Sequence, residues 1–556
     1  MPPAAEMIVT NGRVLTMDPD LPRAEAVAIA GGTIVAVGPA EDVAALKGPT
    51  TEIVDAEGGS VLPGFIESHL HLFVGAAELA HLQLAGVSGF DRLSAAIRGF
   101  AEQHPDKPVL MAQGADYTIL SADEPVTRHH LDRILPDRPF AMAAFDHHTM
   151  WANTKALEMA GILHGRKLGP ANEIVMGPDG LASGELRESE AMGPVDALAG
   201  ESRIRLGLAT GGEPDPAPTA AERAADRAIM ARGLDYAAQH GITSLHNMDG
   251  NLYQLELLDE LSEDGRLPVR ARVPFHFKNF MRLEALEKAS YMAEHYRSEF
   301  LSSGFVKLFM DGVLESWTAV MIAPYGDRPD WSGEPLFEAA RFAEIATEAD
   351  RRGLQIAVHA IGDWAVRTVL DGYEAARRAN GPRDSRHRIE HIEVTTEADI
   401  PRFAKLGVLA SMQPPHPPGQ MGLPIEPTIS RIGRDRWPLA YAWRRLRDAG
   451  ARMPFASDWP VSDIDPMRGI QAAVTRKPWA EGLPDQSVTL EESIAGYTVE
   501  GAYAEFAERR KGKLKAGFMG DLVVISGDVE AVPPEALAGL RPVVTICGGR
   551  VSYRRP

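Results

Sequence analysis

Cysteine is almost missing from this 556-residue sequence: Cys547 stands alone, which excludes internal disulfides and metal clusters built on thiolates. Any metal would have to be held by histidine, carboxylate or lysine. Positive charge is also in deficit. With 57 Lys and Arg against 77 Asp and Glu, the formal net charge is −20, a field that repels phosphate backbones and anionic lipid, so no nucleic-acid or membrane partner is expected. No apolar run is long enough to cross a bilayer, and the N-terminus has no basic segment followed by an apolar core, so the expectation is a cytoplasmic protein. Internal repeats, low-complexity tracts and heptads are absent as well. What remains is an ordinary globular composition, 45% hydrophobic and 24% charged, over a length that calls for one large body with smaller appendages.

The first sixty residues hold short β-like runs, such as Met7-Ile8-Val9-Thr10 and Thr33-Ile34-Val35-Ala36-Val37, separated by Asn11-Gly12 and Gly31-Gly32 turns. The same texture returns in Asp521-Leu522-Val523-Val524-Ile525 and Val543-Val544-Thr545-Ile546. The two ends are expected to build one small β domain, residues 1–60 with 510–556. Between them, apolar runs at 61–67, 242–247, 269–276, 304–310, 354–359, 387–391, 407–412 and 452–457 alternate with helical patterns. This alternation predicts an α/β body with a parallel sheet over 61–85 and 219–509, and eight units is the number that closes a (β/α)8 barrel; an open doubly wound sheet is the alternative. The gap after the first run is too long for a loop, so residues 86–218 are expected to form an inserted subdomain. Thr219 and Glu222 then make a capping box that opens a helix.

Val61-Leu62-Pro63-Gly64-Phe65-Ile66-Glu67-Ser68-His69-Leu70-His71 is an apolar strand ending in two histidines one residue apart. Strand side chains alternate faces, so His69 and His71 point the same way and can share one metal ion, although His-x-His also occurs in unrelated loops. In Gly304-Phe305-Val306-Lys307-Leu308-Phe309, Lys307 falls inside a buried strand. It must there be paired with an acid, neutralised, or carbamylated by CO₂ into a carboxylate that could bridge two ions. His359 and His391 each end an apolar run, where a lone histidine is more often a core residue than a ligand but two in successive strands shift the balance. Asp458 closes the last run. It would cap a turn or, beside a metal, orient water and carry its proton.

In this order along the strands, the residues resemble the amidohydrolase superfamily, whose binuclear members use a His-x-His pair, a carbamylated lysine, two histidines and an aspartate. The closer resemblance is to amidohydrolase family 3, which includes N-substituted formamide deformylases. It spans nearly the whole chain, through Thr10-Asn11-Gly12-Arg13-Val14, Pro63-Gly64-Phe65-Ile66, Asn153 with Ala156-Leu157, Lys307-Leu308-Phe309, His359-Ala360-Ile361-Gly362-Asp363, Ser457-Asp458-Trp459-Pro460 and Gly520-Asp521-Leu522-Val523. The resemblance implies a TIM-type barrel beside a β-sandwich built from both termini. It implies two divalent ions, zinc first and manganese or iron also compatible. His69, His71 and Asp458 would hold one, His359 and His391 the other, and a CO₂-derived carbamate on Lys307 would bridge them.

The implied activity is hydrolysis of a non-peptide, amide-type C–N bond of a small molecule by metal-activated hydroxide, with Asp458 as the catalytic proton carrier. Hydrolysis of a cyclic amide, lactone or ester is the alternative, metal-assisted isomerisation or elimination a further one, and a catalytically silent binding protein another. Family analogy adds a homodimer. Two departures stand out. Glu67 occupies a position where the superfamily often has Asp, and Glu315 and Trp317 lie near positions where family 3 commonly has a small residue and Arg. Glu315, Trp317 and Tyr117 are therefore expected on the substrate side, with Trp459 as a further wall or as packed core. Asp116, His147, His148, His246, His276 and His416 could line the pocket, but lone residues of this kind are more often structural, and none is assigned a catalytic role.

Overall fold

A computed structural model describes residues 4–121, 123–145, 147–169, 172–421 and 423–556. Spatial proximity divides the chain into two units, one made of the chain up to Leu72 together with Leu234–Pro556, the other of Phe73–Gly233.

In the first unit, parallel strands alternate with helices. Phe65–Leu70 pairs with Ile242–Asn247, that strand with Arg270–Arg272, and that in turn with Leu301–Ser302. A second parallel sheet runs Phe275–His276, Phe305–Phe309, Gln355–Ala360, Arg388–His391 and Leu409–Ser411. Every residue of Phe65–Leu70, Ile242–Asn247, Gln355–Ala360 and Arg388–His391 is buried, as parallel strands covered on both faces must be. The covering helices include Leu252–Glu263, Ala339–Arg351 and Asp363–Asn380. In Ala339–Arg351, Phe342, Ile345, Ala346 and Ala349 recur at three- and four-residue steps and form the buried stripe.

Pairing yields two open sheets of four and five strands rather than one closed ring. Proline explains both interruptions. Pro274 divides the third expected strand into two, and Pro454 lies in the last, which is reduced to a bridge between Phe455 and Met412; neither proline has an N–H to give to a ladder. Single backbone bonds still tie the last run to its neighbours. Met412 N donates to Pro454 O (3.1 Å), Ser68 N to Phe455 O (3.4 Å) and Asp458 N to His69 O (2.9 Å).

The chain ends contribute a four-stranded sheet, Thr33–Gly38, Ala26–Ala30, Ala5–Thr10 and Lys47–Asp55, and a six-stranded one, Arg550–Arg554, Pro542–Cys547, Leu522–Ile525, Ser60–Pro63, Arg13–Leu15 and Arg23–Ala24. Met7, Val9, Val27 and Ile34 from one end share a core with Leu522, Val524 and Ile546 from the other. Ser60–Pro63 belongs to this layer, and the chain passes from it directly into Phe65–Leu70.

The second unit is built on a six-stranded mixed sheet, Glu173–Met176, Ala182–Arg187, Thr149–Ala152, Phe140–Ala144, Leu110–Ala115 and Leu82–Gln83. It runs from Phe73 to Gly233, and its second limit falls within the helix Ala220–Gln239. That helix opens as its sequence signals: Thr219 N donates to Glu222 Oε2 (2.8 Å) and Glu222 N to Thr219 Oγ1 (3.3 Å). Among the described residues, no helix is long and apolar enough to cross a membrane.

Candidate metal centre

The end of Phe65–Leu70 brings His69 and His71 to one carboxylate. Asp458 Oδ1 lies 3.2 Å from His69 Nε2 and 3.3 Å from His71 Nε2. Nitrogen ligands at about 2.0–2.1 Å in tetrahedral array around zinc stand about 3.3 Å apart, so this spacing fits one ion. His69 Nε2 and Asp458 Oδ1 are buried and make no hydrogen bond, although they face each other. A shared cation would satisfy both at once.

The outer nitrogens explain why the inner ones are free. His69 Nδ1 donates to Glu390 Oε2 (2.7 Å), His71 Nδ1 to Asp249 Oδ1 (2.5 Å) and His391 Nδ1 to Gln413 Oε1 (2.9 Å). His359 is reversed, its Nε2 donating to the carbonyl of Gly312 (2.9 Å). At His69, His71 and His391 the acceptor fixes the tautomer and turns the other ring nitrogen inward as a lone pair, as metal-binding imidazoles require.

Behind His69 lies a buried ion pair. Arg388 Nε is 2.8 Å from Glu390 Oε1, and Arg388 Nη2 donates to Ser68 O (2.6 Å) and Ser411 Oγ (3.0 Å), while Nη1 donates to His246 Nδ1 (3.0 Å). Burial opposes the charge on Glu390, but Arg388, His69 and Lys307 outweigh it and hold the carboxyl far below its ordinary range. Burial lowers His246 to about 4. Asp458 follows the same logic, with burial overcome by His69, His71 and His391, so that it too is held well below the usual carboxylate range.

The rings of His359 and His391 lie 4.5 Å apart, and those of His391 and His69 4.9 Å apart. Lys307 Nζ is fully buried, 4.6 Å from the Phe309 ring centroid, and without a hydrogen-bond partner. Burial pushes it down to about 8, with Glu390 and Asp458 acting in the opposite sense. Two donor groups have ligand atoms all within 4.8 Å of one another: His69, His71 and Asp458, and His391, His416 and Asp458. His359 lies outside both. His391 (φ 79°) and Asp458 (φ 61°) hold left-handed backbone, a strained state that persists where surrounding contacts dictate it and that gathers at functional sites.

A sequence model of the amidohydrolase family matches residues 52–553. The chain belongs to that family. Protein LONG AFTER FAR-RED 3 of Arabidopsis thaliana is 30% identical over 548 residues, 94% of this chain and 88% of the plant protein. The N-substituted formamide deformylase of Arthrobacter pascens is 26% identical over 565 residues, 99% of this chain and 98% of the bacterial one. Among solved structures, an uncharacterized metal-dependent hydrolase of Pyrococcus furiosus matches with a TM-score of 0.69 at 26% identity, covering 92% of this chain and 97% of that one.

The departures from this amidohydrolase pattern have local explanations. Glu67, one carbon longer than Asp, accepts the Ser457 N–H (2.7 Å) and so links the first strand to the last run; burial raises its carboxyl well above the ordinary range. Glu315 and Trp317 are half-buried in the long segment between Phe309 and Ala339. Glu315 accepts from Thr428 Oγ1 (2.5 Å), and the Arg431 guanidinium lies 3.7 Å from the Trp317 ring centroid. The segment is pinned at its root by Asp311, whose carboxylate accepts from Val320 N (2.9 Å), Ile361 N (3.0 Å) and Gly362 N (2.9 Å). A Cβ on Gly362 would collide with the Val320 backbone, so that approach needs glycine.

Tyr117 belongs to the second unit, where its hydroxyl donates to Thr149 Oγ1 (2.8 Å). His147, His148 and Asp116 are in that unit as well, beside Glu78, Glu188 and Thr118 respectively. His276 stacks on Phe309 (5.4 Å), and Trp459 is buried against Tyr236 (5.5 Å). Sequence reasoning overlooked Asp249, Glu390 and Gln413, and treated His416 as structural. The available signal was position, since Glu390 stands beside His391 at a strand end and the other three follow the ends of parallel strands, Asp249 after Ile242–Asn247 and Gln413 and His416 after Leu409–Ser411.

Proposed function

We propose that this chain is a metal-dependent hydrolase that cleaves a non-peptide, amide-type carbon–nitrogen bond of a small molecule. The supporting observation is the meeting of two imidazole nitrogens and Asp458 Oδ1 at 3.2 and 3.3 Å, with both outer nitrogens already committed to carboxylates. In this reading the two parallel sheets are arcs of a (β/α)8 barrel, supported by the bonds from Ser68 and Asp458 that join the first strand and the last run, and the site lies at the strands' C-terminal ends. His69, His71 and Asp458 would hold one ion, His391 and His359 the other, and carbamylated Lys307 would serve both.

A divalent ion held there, zinc by preference, supplies Lewis acidity toward a carbonyl oxygen and toward water. The protein's own contribution is proton handling and orientation. Asp458 takes a proton from the attacking water and delivers it to the departing nitrogen. The test is metal content together with turnover on a panel of N-acyl and N-formyl amines, hydantoins and lactones. A metal-free protein, or cleavage of lactones alone, would remove the reading.

Two further outcomes are expected. Carbamate forms from the neutral amine, and Lys307 is pushed down to about 8, so at fixed CO₂ partial pressure, metal uptake by stripped protein should rise with pH through that value. CO₂-free buffer should abolish the rise. Glu315→Gln and Trp317→Ala should change KM by roughly tenfold with metal content and kcat largely kept, because they alter uniform binding rather than the reacting centre. Equal losses in kcat would place them at the chemistry instead.

A further inference from the structure

We infer that His416 is a ligand of the second ion, paired with His391 opposite Asp458; this deepens the metal-hydrolase reading and rests on it. One turn after Leu409–Ser411 carries both the acceptor that orients His391 and the added imidazole. Gln413 Oε1 takes His391 Nδ1–H, and His416 N closes the turn on Gln413 O (3.1 Å) across Pro414 and Pro415, whose fixed φ stiffens it.

His416 repeats the arrangement of the expected ligands. Its outer nitrogen, Nδ1, faces Glu393 Oε1 at 3.6 Å, and the other oxygen of Glu393 accepts from the Tyr441 hydroxyl (2.9 Å). Its inner nitrogen, Nε2, is buried, has no hydrogen-bond partner, and lies 3.8 Å from Asp458 Oδ2. Two ligands of one zinc ion lie at most about 4.2 Å apart, so that separation accommodates a shared ion, whereas it is too long for a direct hydrogen bond. The His391 and His416 rings are parallel within 5°, with centroids 5.9 Å apart, and a ligand atom of each lies within 4.8 Å of the other and of Asp458. A histidine kept only to pair with Glu393 would leave a buried acceptor bare, which folded proteins avoid.

The experiment uses the full chain loaded with zinc, or with cobalt as a spectroscopic stand-in. His416→Phe keeps the ring volume and removes the ligand, and it should lower bound metal from two equivalents to about one and change the cobalt visible spectrum. His416→Cys should recover the second equivalent and add a thiolate-to-cobalt charge-transfer band, a signature that a purely structural residue cannot produce. Wild-type metal content and cobalt spectrum in His416→Phe, or a Cys variant without that band, would overturn the assignment while leaving the hydrolase reading intact. Wild-type protein that takes up no ion would overturn both.

Discussion

Asp458→Asn should lower kcat on an amide substrate by about 10²–10⁴-fold, the range lost with a positioned general acid or base. Asparagine preserves shape and can still present an oxygen to His69 and His71, but it cannot accept and return a proton. The loss should therefore fall on kcat rather than KM, with bound metal reduced far less than activity. Steady-state kinetics beside metal analysis of the same preparation decide the matter. A variant within threefold of wild type would take the proton-carrying role from Asp458.

The second large effect is on stability and metal affinity together. Glu390→Leu strands Arg388 in the interior, since the pair sits at 0% exposure on both sides and no other carboxylate contacts that guanidinium among the described residues. Breaking a buried pair in this way costs about 3–5 kcal/mol, which denaturant titration would read directly. Glu390→Gln retains an acceptor for His69 Nδ1 and should be milder in stability, yet metal affinity should fall about 10–100-fold, as when other outer partners of metal-binding histidines are removed. Unchanged affinity in Glu390→Gln would mean that His69 is oriented by its strand alone.

The candidate ligands were legible because strand ends announce themselves: an apolar run followed by His, Lys or Asp at a fixed register. Their partners were not. Glu390 looks like one more polar residue beside His391, and only folding reveals that it reaches His69, 321 positions away. Asp249 and Gln413 are similar, ordinary polar residues whose role depends on which neighbour the fold delivers. The closed ring expected from eight runs met a different limit. Propensity located the runs, but Pro274 and Pro454 withhold the N–H groups that ladder pairing needs, so regular pairing stops there. Tyr117 shows the remaining gap: an aromatic residue in a separate unit bonds to Thr149 by a contact that no local pattern encodes.

Asp311 ties Val320 in the segment after Phe309 to Ile361 and Gly362 at the end of the neighbouring strand through their main-chain amides, which are the same whatever side chains they carry. In the proposed reading, side-chain substitutions along that segment would leave these three bonds in place, so selectivity would change by single steps while the residues proposed to hold the ions stay in register.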